Sequence, residues 1–207
     1  MRRRRFLQTA ISVFAGILIP ANIAFAGAVT ATDLLGREIT LSGTAKKVIL
    51  GEGRFVSALG ILDRKDPTKR IAGMLGEFKR FDPAGYAQYE KAFPALANIP
   101  LFGGTSADSV SVEKVISLKP DLAIFGKSGH GPSPRTRALV DKIEAAGIPI
   151  AYIDFRDDPL VNTPKSMTLL GKLLGREKEA AEFVDFYSAQ LARVSDRLKQ
   201  ASPAAPK

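Results

Sequence analysis

Four short segments of the chain, each of which follows an apolar run, carry glycines, cations or hydroxyl side chains. Among them are three cations, Arg54, Lys127 and Arg156. Guanidinium groups donate paired hydrogen bonds to carboxylates and other oxygen-rich groups, and glycine lets the backbone approach a bound molecule closely. The pattern indicates a binding site for an oxygen-rich ligand, built from residues 51–54, 103–106, 127–131 and 155–157.

Ligands of open parallel sheets lie beyond the carboxyl ends of the strands, which is where these four segments are expected. We predict that the ligand is contacted by Glu52, Arg54, Thr105, Ser106, Lys127, His130 and Arg156. For each of them the alternative is an ordinary solvated loop residue. The solvated position is the favoured interpretation for Lys127, His130 and Arg156, and for Arg54 the two interpretations stand equal.

The chain lacks the residues on which most catalytic and metal sites depend. It has no cysteine and a single histidine, so neither a zinc site of the usual kind nor a Ser-His-acid set can be assembled. Two glycine motifs also fail: Val56 stands where a dinucleotide fingerprint needs its third glycine, and Asp121 where a phosphate loop needs its first. We therefore predict no catalytic residue, no resident metal and no cofactor.

Residues 1–26 have the composition of an export signal. Four arginines precede a mostly apolar stretch that ends in Ala24-Phe25-Ala26, a small-x-small cleavage pattern. The segment 3–8 resembles the twin-arginine export signal. An uncleaved membrane anchor is the alternative, but several polar residues and Pro20 interrupt the apolar stretch. We expect cleavage of this signal and a periplasmic location.

The charge of the chain does not indicate a nucleic-acid partner. The formal net charge of +9 falls to +5 without residues 1–26, which contain four arginines and no acid. The remaining sequence has no dense run of Lys and Arg interleaved with aromatic residues. We expect no nucleic-acid binding.

Strand and helix patterns alternate along residues 27–161. Segments rich in β-formers at 29–32 and 39–41 flank a turn with glycine and predict a hairpin. Strands are then predicted at 48–50, 71–74, 101–102, 122–125 and 148–153, and helices at 55–62, 83–93, 112–118 and 136–146. Such alternation predicts an α/β fold, a parallel sheet with helices on both faces.

A pair of helices is predicted to follow, over residues 162–200. The first begins at Asn162 or Thr163 and ends before Gly175; the second runs from about Glu177 to Lys199, a length of ~35 Å. Apolar residues of the second helix recur at three- and four-residue steps, which predicts one buried stripe: Ala180, Val184, Tyr187, Leu191, Val194 and Leu198. Residues 201–207 are predicted to be a disordered tail.

The segment 111–125 carries the most specific pattern. A short helix with Glu113 in its first turn leads into Leu118-Lys119-Pro120-Asp121-Leu122 and a strand that is apolar on both sides. This order resembles the N-terminal lobe of the helical-backbone periplasmic binding proteins, the family that serves ABC importers of ferric siderophores, haem and vitamin B12. The hairpin, the first core strand, the 146–150 junction and the segment 169–191, which covers the approach to the bridging helix and part of that helix, extend the resemblance, in order, from residue 29 to 199.

The resemblance implies an architecture and a function. The architecture is an N-terminal α/β binding lobe (27–161) followed by a helix pair that includes a long bridging helix (162–200). The function is non-enzymatic capture of an iron complex, with a ferric siderophore favoured, by a monomer that delivers it to an ABC permease in the inner membrane. In this family the acid at the position of Glu113 docks on permease arginines, and the same acid also stabilises the start of its helix.

In the family a second lobe of similar size follows the bridging helix, and the chain has no room for one after Lys199. The resemblance therefore implies a chain truncated to one lobe, which alone binds its ligand weakly or not at all. The alternative function is an exported α/β enzyme, a hydrolase or a nucleotide-dependent enzyme. The incomplete glycine motifs and the single histidine count against it.

Overall fold

Two sheets organise residues 27–201, the part of the chain that this computed structural model describes. The smaller is an antiparallel hairpin of β1 (Val29–Thr32) and β2 (Glu38–Leu41). The larger consists of β3 (Val48–Leu50), β4 (Ile71–Leu75), β5 (Leu101–Gly103), β6 (Leu122–Gly126) and β7 (Ile150–Ile153). These five strands are parallel, in the order β5-β4-β3-β6-β7, so the predicted α/β sheet is confirmed.

Helices connect these strands and extend the chain beyond the last one. They are α1 (Val56–Leu62), α2 (Glu77–Phe81), α3 (Pro83–Ala92), α4 (Val112–Ser117), α5 (Arg137–Ala145), α6 (Pro159–Leu174) and α7 (Glu177–Ala201). Short α2 was not predicted. Helix α6 begins at Pro159, earlier than predicted, because proline suits the first position of a helix.

Strand β6 lies between β3 and β7 in the sheet, and both of its faces are covered. Every residue of β6 is buried. Leu122 and Ile124 belong to one hydrophobic core, which α1, α6 and the start of α7 complete. Ala123 and Phe125 belong to a second core on the opposite face, shared with α4 and α5. The continuous apolar run predicted a strand buried on both faces, and helices do pack on both faces of β6.

The chain turns sharply between α4 and β6, as the Lys-Pro-Asp sequence predicts. Ser111 caps α4 by accepting a hydrogen bond from the Lys114 N–H at 3.2 Å. Lys119 then takes a left-handed conformation (φ 48°), and Pro120 prevents the helix from continuing. The Asp121 carboxylate accepts the N–H groups of residues 46 and 47, both at 2.8 Å, and so fixes the turn to the start of β3.

Helix α7 is 25 residues and ~37 Å long, and only its first part is held by the lobe. Ala180 is buried against Gly171 of α6, and Val184 packs against the core. The Tyr187 hydroxyl donates to the Pro159 carbonyl at 3.1 Å. The hydrophobic stripe thus begins as predicted.

The second part of α7 departs from the prediction of a buried stripe. All side chains from residue 191 to 200 are exposed. Leu191, Val194 and Leu198 have exposed fractions of 36%, 52% and 63%, and Phe186 is exposed as well. Apolar residues do recur at helical spacing in the second part of α7, but no element among residues 27–201 covers them.

Two predicted segments lie wholly or largely outside residues 27–201. The export signal (1–26) lies outside the described residues, and so does the predicted tail apart from Ala201, which is the last residue of α7. Between residues 27 and 201, none of the helices combines the length and the apolar character needed to cross a membrane.

Gly171→Ala should destabilise the lobe, because a Cβ there would lie 2.5 Å from the Ala180 Cβ and 3.1 Å from the Arg176 carbonyl oxygen. Overpacking of this kind costs about 1–3 kcal/mol, measurable as a lower free energy of unfolding in urea. Gly60→Ala in α1 is the matched control: its nearest contact would be an ordinary 3.5 Å, so we expect unchanged or higher stability. Equal effects of the two changes would show that the α6–α7 contact is not tight.

Candidate functional site

Three loops meet at the carboxyl edge of the sheet. They follow β3, β6 and β7, which are neighbours in the sheet. The loops are residues 51–54, 127–133 and 154–158. Strand order alone therefore brings together Glu52, Arg54, Lys127, His130 and Arg156 of the predicted ligand residues.

Glu52 is the centre of this edge. Its side chain is 2% exposed, and its two oxygens are used differently. Oε1 accepts the backbone N–H of His130 at 3.0 Å. Oε2 accepts Nη2–H groups of Arg54 at 3.0 Å and of Arg156 at 2.5 Å. One buried carboxylate thus joins all three loops and holds two guanidinium groups side by side.

A second buried carboxylate, Glu77, supports the first. It is the first residue of α2 and is fully buried. Its Oε2 accepts the N–H of Gly53 at 2.8 Å, and its Oε1 accepts the N–H of Arg54 at 3.2 Å and Nε–H at 3.4 Å. Glu77 was not predicted as a site residue. The available signal was an acid two residues after a buried strand, opposite a Gly-Glu-Gly loop.

Two glycines allow the loop after β6 to close over Glu52. Gly129 has φ 130°, and a Cβ there would lie 1.9 Å from the Glu52 Oε1. A Cβ at Gly131 would lie 1.8 Å from the carbonyl oxygen of Gly51. The glycines predicted to admit a ligand are therefore needed first for this loop-to-loop contact.

Asp154 shapes the loop that presents Arg156. Its carboxylate accepts the N–H groups of residues 156 and 157 at 2.8 and 2.9 Å and the side-chain amide of Asn162 at 2.7 Å. Burial acts to raise the pKa of Asp154, but these hydrogen bonds outweigh it and hold the pKa below its ordinary value. The Asp154 carboxylate therefore stays charged, and its hydrogen bonds fix the course of the loop.

Lys127 is also paired with an acid. Its Nζ lies 3.9 Å from Oδ2 of Asp157, and the Ser128 hydroxyl donates to Oδ1 of the same carboxylate at 2.5 Å. Each of the three cations predicted to receive an anionic ligand group is therefore already next to a carboxylate of the protein.

An open cavity of about 480 Å³ lies beside the two arginines. Its floor and walls are largely apolar, from Phe55, Ile61, Phe155, Met167 and Phe183. Glu52, Arg54 and Arg156 form its charged part. Such a combination of an apolar surface with a few oriented donors is typical of small-molecule sites.

The other predicted residues lie apart from this group. Thr105 and Ser106 follow β5, which is at the opposite edge of the sheet from β7. The His130 side chain is exposed and stacks on Phe81 with ring centroids 4.8 Å apart. In the part of the chain that the structure describes, no group of three or more His, Asp or Glu is placed to hold a metal ion.

Glu113 is fully exposed in the first turn of α4. Its carboxylate hydrogen-bonds the Ser111 hydroxyl at 3.1 Å. A hydrogen bond from its own backbone N–H, and then the Ser111 hydroxyl, lowers the pKa of Glu113. The side chain is thus a charged surface acid without a buried partner, as a docking residue requires.

Comparison with known proteins identifies relatives of this lobe. The sequence profile of the family described as "Periplasmic binding protein" matches residues 81–206. The TroA-like periplasmic binding protein FepB from Veillonella parvula is 30% identical, with a TM-score of 0.73 over 86% of this chain. No curated protein sequence matches the chain.

More distant solved structures share the fold. The molybdate-binding protein MolA of a Haemophilus influenzae ABC transporter, solved with molybdate, is 19% identical with a TM-score of 0.67 over 84% of this chain. The siderophore-binding protein BauB, solved with acinetobactin and ferric iron, is 19% identical with a TM-score of 0.60 over 85%. The chain covers 51%, 55% and 56% of FepB, MolA and BauB, about half the length of each.

Glu77→Ala should destabilise the lobe by about 2–4 kcal/mol. The change leaves the buried N–H groups of Gly53 and Arg54 without their acceptor. Urea denaturation gives the free energy of unfolding, and Glu113→Ala, which removes a fully exposed acid, should change it far less than Glu77→Ala does. A Glu77→Ala protein as stable as the wild type would mean that water replaces the carboxylate at no cost.

Proposed function

The chain belongs to the periplasmic binding protein family, and from that premise we propose that it captures an iron chelate for an ABC importer. The ligand that we favour is a ferric siderophore. The family consists of solute-binding proteins, so the prediction that the chain is not an enzyme is confirmed at that level. The same finding counts against an exported hydrolase or nucleotide-dependent enzyme.

The ligand proposal is carried by the pair of arginines beside the apolar cavity. Arg54 and Arg156 are 31% and 39% exposed at their side chains, so their guanidinium groups remain in reach of a ligand while Glu52 holds them. Iron chelates present ring or chain carbons and an outer layer of oxygen atoms, which suit the apolar wall and the N–H donors respectively. BauB, solved with a ferric siderophore, supports this class, and MolA, solved with molybdate, offers the competing class of a free oxyanion.

The proposed organisation follows the family. Residues 27–161 form the binding lobe, residues 162–200 the helix pair, and residues 1–26 an export signal that is removed on the way to the periplasm. Membership of a periplasmic family supports that location. The twin-arginine-like arginines suggest the route of export.

Residues 27–201 are proposed to supply one side of the ligand site. Micromolar binding corresponds to about 8 kcal/mol, and half of that free energy leaves only millimolar affinity. Weak binding by this lobe is therefore the quantitative consequence of the proposal.

We expect protein of residues 27–207 to bind a ferric siderophore with a Kd in the millimolar range. Paramagnetic broadening of amide NMR signals should begin at residues 52–54 and 155–157. Arg156→Gln should weaken binding about tenfold, the value of one charge-assisted hydrogen bond, whereas Arg137→Gln, 81% exposed on α5, should leave it unchanged. Micromolar affinity would contradict the one-sided site, and an unaffected spectrum at several millimolar chelate would contradict the ligand class.

Glu113 is proposed to dock on arginines of the permease. Its exposure and its charge at the start of α4 support this role. We expect Glu113→Lys to weaken binding of the chain to proteoliposomes that contain the cognate permease by about tenfold, since a charge reversal turns attraction into repulsion. Glu38→Lys, at an exposed position of β2, is the control. Equal retention of both variants on the vesicles would remove Glu113 from the docking surface.

A further inference from the structure

We propose that Glu52 makes this site selective for iron chelates of zero net charge, an inference that rests on the proposed binding function. Chelates of ferric iron differ widely in charge. Three hydroxamate groups, each carrying one negative charge, neutralise Fe³⁺, whereas three catecholate groups, each carrying two, leave a net charge of −3. The residues at the edge of the sheet discriminate between these two cases.

The edge carries no surplus positive charge. Arg54 is paired with Glu52 at 3.0 Å and with Glu77 at 3.4 Å, and Arg156 is paired with Glu52 at 2.5 Å. Two carboxylates and two guanidinium groups sum to zero. Lys127, the third cation, lies 3.9 Å from Asp157. Asp154, in the loop that presents Arg156, adds a further negative charge, so an incoming anion meets no fewer fixed negative charges than positive ones.

Separating the arginines from their buried carboxylates is costly in free energy. The side chains of Glu52 and Glu77 are 2% and 0% exposed. If Arg54 turned fully toward an anionic ligand, buried Glu77 would lose its cation, and if both arginines turned, buried Glu52 would lose both of its own. Leaving a buried charge unpaired is strongly unfavourable. The buried position of the acids thus distinguishes this arrangement from a surface salt bridge, which a ligand can exchange readily.

The same arrangement keeps the arginines useful to a neutral ligand. A guanidinium has five N–H donors. The contacts with Glu52 and Glu77 use two donors of Arg54, and the contact with Glu52 uses one of Arg156. The remaining donors can bind carbonyl and hydroxamate oxygens of an uncharged chelate while the ion pairs stay intact. Glu52 is therefore a positioning residue that supplies donors without net charge.

The test compares two chelates of different charge on the same protein. Gallium(III) replaces ferric iron so that NMR signals stay sharp, and one tripodal scaffold carries either three hydroxamates (charge 0) or three catecholates (charge −3). With protein of residues 27–207 we expect the neutral chelate to bind at least tenfold more tightly. The affinity for the neutral chelate should also change less than twofold between low and high salt, because no net charge is neutralised on binding.

Glu52→Gln is the decisive variant. The side-chain oxygen of Gln can still accept the His130 N–H, but its amide cannot neutralise the arginines, so the edge gains one positive charge. We expect affinity for the trianionic chelate to rise at least tenfold and affinity for the neutral one to stay within threefold. Glu38→Gln removes the same charge from the exposed hairpin and should leave the ratio of affinities unchanged.

Asp157→Asn tests the same idea at the surface, where folding is not at risk. It releases Lys127 from its acid, so affinity for the trianionic chelate should rise several-fold. A wild-type protein that prefers the trianion, or variants that leave the ratio unchanged, would overturn the role of Glu52 while the binding function stands. If neither chelate binds, the proposed function falls and this inference falls with it.

Discussion

The carboxyl edge of the sheet depends on one constraint: a carboxylate that is buried must keep its hydrogen-bond and ion-pair partners. Glu52 and Glu77 are both removed from water, and a buried charge is tolerated only when its oxygens are fully engaged. Meeting that condition recruits backbone N–H groups from residues 53, 54 and 130 and side chains from residues 54 and 156. These contacts of the acids order the three loops. Within residues 27–201, no buried side-chain polar atom is left without a hydrogen-bond partner.

The opposite end of the lobe repeats this arrangement for a structural purpose. Asp63, at the end of α1, accepts hydrogen bonds from Arg70 and Arg176, and Arg70 also donates to the carbonyl of Ala45 at 2.7 Å. Arg176 lies at the junction of α6 and α7, so the network ties that junction to α1 and to the start of β3. A cavity of about 590 Å³ lies beside these residues, far from the carboxyl edge. Two carboxylates, each holding two arginines, therefore fix the two ends of one sheet.

The fold was largely predictable because its signals are local. The apolar run at 122–125, the proline at 120 and the glycines at 147 and 175 each act within a few residues, and Gly147 and Gly175 do take the left-handed conformation of helix ends. The site was only partly predictable. Loops after adjacent strands could be named, but the pairing of Glu52 with Arg156 spans 104 residues and that of Glu77 with Gly53 spans 24. Which acid neutralises which cation depends on tertiary packing, and sequence periodicity carries no information about it.

Helix α7 gives the lobe a mechanical property. It is fixed at its first turns, where Ala180 meets Gly171, and its last turns extend into solvent. The far end lies ~30 Å from that fixed point, so one degree of tilt displaces it by about half an ångström. The contacts of Ala180 with Gly171, of Val184 with the core and of Tyr187 with the Pro159 carbonyl together set the direction of the helix. A change of about three degrees in that direction would therefore move the exposed end of the helix by about 1.5 Å.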